Sequence, residues 1–235
     1  MQREKKENIA RAVLVGLFII VLSSISYAAI SGSQHDFTFL GTSNFSNSFG
    51  GDNDEPCVYC HTPHGSYGNQ TPLWNRTLSF PNGFNVYTSA TMDSTPTNPP
   101  STITQLCLSC HDGVGAINSV LNTPGPGSAP LTFNALQNQI GDLGTSAKWV
   151  NIGEGDPLVA SAVNLTNDHP VSIAWANKGT GFLANPTAPA RLVSGMVECT
   201  SCHEPHNGTP FELGGMQFML MSNNGSALCL ACHVK

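Results

Sequence analysis

Apolar residues in this chain are concentrated in one stretch. From Ala12 to Leu22 the sequence is nearly all apolar, and a basic start formed by Arg3, Lys5, Lys6 and Arg11 precedes it. The remainder holds few long runs of strong helix formers, so an ordinary helix or sheet core is hard to draw from it. Residues 122–130 (Asn-Thr-Pro-Gly-Pro-Gly-Ser-Ala-Pro), the Gly-, Asp- and Asn-rich run 141–157, and the polar, Pro-containing run from Tyr87 to Thr104 read as loops. Short helices are predicted at four Cys-x-x-Cys-His sites, where the Cys and His have to project from one side of a turn. The pattern therefore predicts a mostly irregular, loop-rich fold with short α-helices and little β structure.

The apolar stretch is roughly ten residues long, against the ~20 that a spanning helix needs. Ser26-Tyr27-Ala28 places small residues at the spacing a signal peptidase reads, so residues 1–28 are expected to be a signal peptide cleaved after Ala28. No later run is long enough to span a bilayer, and no stable membrane anchor is expected. The mature chain is expected outside the cytoplasm, extracellular or at the cell surface, with the periplasm as the alternative.

Composition sharpens the fold problem. Only 10% of the 235 residues are charged, while Gly (23) and Pro (16) are plentiful. So much irregular backbone is expensive to order without some other apolar centre. Removing residues 1–28 leaves five Lys/Arg against thirteen Asp/Glu, a net charge of −8. A chain this acidic is not expected to bind nucleic acid or anionic lipid; basic proteins, metal cations or copies of itself suit it better.

The cysteines supply the missing centre. All eight fall in four pairs of one spacing, each followed directly by His: Cys57-Val-Tyr-Cys60-His61, Cys107-Leu-Ser-Cys110-His111, Cys199-Thr-Ser-Cys202-His203 and Cys229-Leu-Ala-Cys232-His233. Two thiols three positions apart can each form a thioether with a haem vinyl group, and the next imidazole then serves the iron as proximal ligand. Disulfides or zinc thiolates would also use paired Cys, but neither requires His after every second one. The expectation is four covalently bound haems c around which the loops pack. Phe37, Phe39, Trp74, Phe80 and Trp175 are then read as haem and core packing.

The eight His match the same count. With His61, His111, His203 and His233 proximal, His35, His64, His169 and His206 remain as distal ligands, giving bis-His iron at all four haems. Met is the competing axial ligand, and Met216, Met219 and Met221 precede the last motif; they are read as packing, since Met more often fills core gaps. Full ligation leaves no open iron, so electron transfer is expected rather than catalysis; a multihaem oxidoreductase is the weaker reading.

These residues form a word written twice: a leading His (His35, His169), a CxxCHxPH unit (Cys57 to His64, Cys199 to His206) and a closing CxxCH. The offsets are 134, 142 and 122 residues, so the halves share a ligand plan with different loops. The expected organisation is two two-haem modules, 29–121 and 158–235, joined by a Gly/Pro-rich connector, 122–157. His64 and His206 follow a proximal His by three residues and are tethered to that side of their own haem, so each should cap another. One rule sends His206 to the Cys107/Cys110 haem, His35 to the Cys57/Cys60 haem and His169 to the Cys199/Cys202 haem. It then sends His64 to the Cys229/Cys232 haem of a neighbouring subunit, a head-to-tail contact that gives an open filament. His64 capping the His111 haem within the chain is the alternative.

The words His35-Asp36-Phe37, CVYCHTPHG, Pro72-Leu73-Trp74, LCLSCHDG, Asp168-His169-Pro170-Val171, CTSCHEPHNG and LCLACH resemble the multihaem cytochromes of metal-respiring bacteria, especially the tetrahaem OmcE-like proteins that form extracellular nanowires. The resemblance spans most of the mature chain. It implies closely stacked haems continuous along a filament, in which a His of one subunit, by motif position His64, ligates a haem of the next. It also implies a homopolymer that passes electrons to redox partner proteins or extracellular acceptors; a discrete periplasmic tetrahaem carrier is the other reading.

Overall fold

The computed structural model describes residues 30, 33, 35–37, 55–69, 72–113, 120–123, 152–153, 162–207 and 218–234. The expected signal peptide, most of the connector, Phe39 and Met216 lie outside the described residues. Among those described, no helix is long and apolar enough to cross a membrane.

Regular structure is sparse and short. In chain order the strands and helices are β1 (Phe84–Val86), α1 (Thr102–His111), β2 (Val163–Leu165), β3 (Ile173–Ala174), β4 (Met196–Val197) and α2 (Ala227–Leu230). Single 3-10 turns cover Pro56–Tyr59, Tyr67–Asn69, Trp175–Asn177, Cys199–Ser201 and Asn224–Ser226. β1 pairs in parallel with β2, Asn85 opposite Asn164, and β3 pairs antiparallel with β4. The polar run expected to continue as loop to Thr104 instead gives way to α1 at Thr102. Ser101 caps that helix, its Oγ accepting from the Thr104 N–H. Gly113 ends it at φ 81, a left-handed conformation that costs glycine little.

The apolar core is small. Leu108 on α1 packs with Val163 and Leu165 of β2, and Phe80 and Phe84 lie against them. The two halves therefore share one core, because the parallel pairing carries β2 from the second half onto β1 of the first. Buried polar residues are as prominent as apolar ones: Asn75, Thr104 and Ser172 are fully buried, and Arg76, Glu198 and Ser201 nearly so.

The duplication is visible in backbone bonding. After the first motif the Thr62 N–H donates to the Leu73 carbonyl (2.9 Å) and the Asn75 N–H to Cys60 (2.9 Å). After the third, Glu204 donates to Phe218 (2.8 Å) and Leu220 to Cys202 (2.8 Å). Leu73 (φ 61) and Phe218 (φ 59) both take the left-handed conformation at the matching place. In each half the chain returns antiparallel to its own motif, placing Trp74 opposite His61 and Met219 opposite His203.

Asn75 clamps the first of these returns. Its Nδ2 donates to the carbonyls of Val58 (2.6 Å) and Asn122 (2.9 Å), and its Oδ1 accepts from the Asn122 N–H (2.9 Å). Truncation empties a fully buried position and leaves three partly buried backbone partners unpaired, so Asn75→Ala is expected to lower unfolding free energy by about 2–3 kcal/mol. A denaturant titration of the haem-loaded protein followed by circular dichroism measures it.

Candidate functional site

Each Cys-x-x-Cys-His sits on one tight turn, and the reason is local. In the first, third and fourth motifs the N–H of the His reaches back to the carbonyl of the first Cys, at 2.8 Å for His61, 3.1 Å for His203 and 2.9 Å for His233. The second motif forms the last turn of α1 and ends on His111. A single helical turn brings positions one, four and five onto neighbouring parts of its surface, so two thiols and an imidazole leave each turn together.

The eight cysteines are free thiols, Cys57 and Cys229 exposed and the others partly covered. In haem c these sulfurs stand as thioethers. Burial, then the neighbouring Cys110, pushes the Cys60 thiol up to about 12. Cys107 shares a thiol hydrogen bond with Cys199 that raises Cys107 and lowers Cys199. Burial, then Cys232, raises Cys202. Successive motifs are thus electrostatic neighbours in chain order, Cys60 with Cys110, Cys107 with Cys199 and Cys202 with Cys232.

The imidazoles meet in pairs. The His61 and His206 ring centroids lie 5.9 Å apart, His35 and His111 6.1 Å, and His169 and His233 6.3 Å. Imidazole nitrogens bind first-row metals at about 2.0 Å, so two rings on opposite sides of one ion have centroids roughly 6 Å apart. Ordinary ring contacts cover about 4.5–7 Å, so distance alone does not distinguish the two cases. The second ring nitrogen bears on what these rings can bind. His61 Nδ1 lies 2.7 Å from the Pro72 carbonyl, His206 Nδ1 2.9 Å from Glu204 Oε1, His35 Nδ1 3.3 Å from the Pro205 carbonyl and His169 Nδ1 2.9 Å from the Pro170 carbonyl. A carbonyl or carboxylate can only accept, so each of these bonds needs its proton on Nδ1, and in the neutral ring Nε2 is then the bare nitrogen. This is the tautomer an imidazole needs to ligate a metal through Nε2.

Charge favours the same state. Burial, then His111, pushes His35 down to about 4, against the pull of the Pro205 carbonyl. Partial burial of the otherwise exposed His203 lowers it against a hydrogen bond to the Phe218 carbonyl, and burial followed by His169 lowers His233. Neutral imidazole is the form that binds metal. Among the described residues no three His, Cys, Asp or Glu side chains converge as a metal cluster. Two facing imidazoles suit an ion whose other positions are filled by a planar macrocycle, and haem fits these residues.

The pairs differ from those inferred from the repeat. His206 faces His61, not His111; His35 faces His111, not His61; His169 faces His233, not His203. The pairing still obeys one rule in both halves, since each leading His faces the closing motif of its own half. His64 and His203 remain. Among the described residues neither ring faces another imidazole, and both are exposed. The His64 backbone is nonetheless held: its carbonyl accepts from Thr62 Oγ1 (2.7 Å) and Asn122 Nδ2 (3.1 Å). Where the second half has Glu204, bonded to His206 and to Arg191 (2.8 Å), the first has Thr62. Met219, read as packing, lies opposite His203 through backbone pairing. Residues to which the sequence assigned no role are Pro72, Pro205 and Glu204, which hold His61, His35 and His206 through Nδ1; their place beside the motifs is the sequence signal for them.

Covalent attachment has a direct check. Haem should stay with the polypeptide through boiling in detergent, and Cys229→Ser with Cys232→Ser should lower the haem-to-protein ratio by one per chain, read by mass spectrometry.

Among comparisons with known proteins, the model of the doubled CXXCH motif family matches residues 192–235, the third and fourth motifs. No curated protein matches the chain. The doubled motif, thiols and imidazoles presented from single turns, and facing imidazole pairs together fit a multihaem c-type cytochrome, holding haem c covalently and serving electron transfer.

Proposed function

We propose that this protein is an exported tetrahaem cytochrome with bis-His iron throughout, and the subunit of an extracellular filament that conducts electrons to external acceptors. The observation that carries the reading is the set of three facing imidazole pairs at 5.9–6.3 Å, which obeys one rule across the repeat. A bound haem supplies a one-electron couple at its iron. The residues of the chain would attach it through paired Cys and present imidazoles to it, with Nδ1 of His35, His61, His169 and His206 each held by an acceptor. With both axial positions filled, no iron is open to a substrate, which favours electron transfer over catalysis. The contacts between successive motifs favour haems following one another in chain order.

The leftover pair points to the assembly. His206 of the second half faces the first motif of the preceding half. Applied to His64, the same rule reaches the second half of a preceding copy and its third motif, whose His203 lacks a facing imidazole within the chain. His64 of one copy therefore caps the His203 iron of another, rather than the fourth-motif iron. Both rings are exposed and the His64 backbone is braced, as a head-to-tail contact between copies requires. An all-His set also predicts low reduction potentials, because Met ligation is what raises them.

Substitution at His64 separates this reading from a discrete periplasmic carrier. His64→Ala is expected to keep all four haems attached, to abolish long assemblies in electron micrographs, and to convert one haem in four to a high-spin signal in electron paramagnetic resonance. Free imidazole should restore the low-spin signal without restoring assembly. A monomeric wild-type protein with four low-spin haems would instead establish the carrier.

A further inference from the structure

Glu198 is a buried carboxylate that haem attachment does not use. It is 2% exposed and immediately precedes Cys199. One oxygen accepts from Thr104 Oγ1 at 2.6 Å and from Ser172 Oγ at 3.0 Å, and the carboxylate also accepts from the N–H of Ser201, the last residue of the Cys199–Ser201 turn. Thr104 and Ser172 are themselves fully buried. The Ser172 hydroxyl already accepts from the Ser101 N–H (2.9 Å), which leaves its proton for Glu198. Every partner is a donor. An ionised carboxylate, which can only accept, is the species this arrangement suits. No Lys, Arg or His pairs with it among the described residues.

Its position is specific. Thr104 belongs to α1, one turn ahead of Cys107, and its hydroxyl lies 3.7 Å from Cys199 Sγ. The Cys107 and Cys199 thiols are close enough to perturb one another. The carboxylate is therefore buried where the second and third attachment motifs meet, remote from solvent screening. Glu55, at the N-cap of the Pro56–Tyr59 turn that carries the first motif, is by contrast exposed and makes no side-chain cap, so the burial of Glu198 is particular to the third motif.

We propose that Glu198 is a fixed negative charge that lowers the reduction potentials of the two haems attached at Cys107/Cys110 and Cys199/Cys202, relative to the outer two. The proposal rests on the four-haem reading above. Reduction adds one electron to each iron, Fe(III) to Fe(II), and so removes one positive charge; a buried carboxylate nearby stabilises the ferric form and makes that electron harder to add. The consequence along the chain is a pair of low-potential inner haems between two higher ones. Glu198 is a positioning and potential-setting residue and not an iron ligand.

A redox titration of the full-length, haem-loaded protein with dithionite, the haems resolved by paramagnetic NMR, tests it. Glu198→Gln keeps the side chain's shape and removes the charge; two of the four potentials should rise while the other two stay in place. Thr104→Val keeps the charge and removes one donor that screens it, so the same two potentials should fall. Opposite shifts at one pair of haems are not what a merely loosened fold produces. Shifts of the same sign in both variants, spread over all four haems, would overturn the proposal, as would unmoved potentials in either variant. If Glu198→Gln does not load haem, Thr104→Val decides alone by the same criterion. Mass spectrometry of the wild type separates the two levels: a chain lacking haem at Cys107 or Cys199 means that the four-haem reading fails, not the role of Glu198.

Discussion

An imidazole can hold a metal through Nε2 only if that nitrogen is bare, and so its proton has to be kept on Nδ1. In the proposed bis-His reading, much of the described structure serves that requirement. Pro72, Pro170 and Pro205 offer carbonyls, and Glu204 a carboxylate, each to the Nδ1 of one His. Burial of His35 and His233 works in the same direction by disfavouring the charged ring. Proline at three of these places is apt, because its fixed φ limits where the preceding and following backbone can point.

The same economy explains the scarcity of regular structure. A chain that must bring thiol pairs and imidazoles to several centres gains little from long helices, and here most attachment sites need only one turn. What orders the connecting backbone is polar: Asn75 and Ser172 are fully buried hubs whose side chains satisfy carbonyls and N–H groups that a helix or sheet would otherwise pair. The apolar cluster of Leu108, Val163 and Leu165 is too small to carry a chain of this length by itself, and the haems of the proposed reading supply the apolar surface that the polypeptide lacks.

The duplication matters because it turns a list of ligands into a rule. Antiparallel returns after the first and third motifs, with left-handed Leu73 and Phe218 at matching places, show two versions of one unit. The two versions have diverged at Thr62 and Glu204. Glu204 pulls His206 into a bonded network and towards His61, whereas among the described residues the ring of His64 meets no such carboxylate. Two copies of one motif can thus serve a contact within the chain and, in the proposed filament, a contact between chains.

The spacing of Cys and His was legible in the sequence because it is a local matter: three positions between thiols and one more to the imidazole put the groups on one turn whatever surrounds them. The matching numbers of proximal and remaining His, and the repeated order of the motifs, were legible for the same reason. Facing was not. His35 and His111 are 76 residues apart, and His61 and His206 145, so only the packing of β2 on β1 and of α1 on the Cys199–Ser201 turn decides which rings meet. The start of α1 at Thr102 depended on the Ser101 cap outweighing a polar, Pro-rich approach. Glu198 reads in the sequence as one more acidic residue of an acidic chain; its burial against Thr104 and Ser172 is a product of the tertiary structure, because its donors come from segments 94 and 26 residues away.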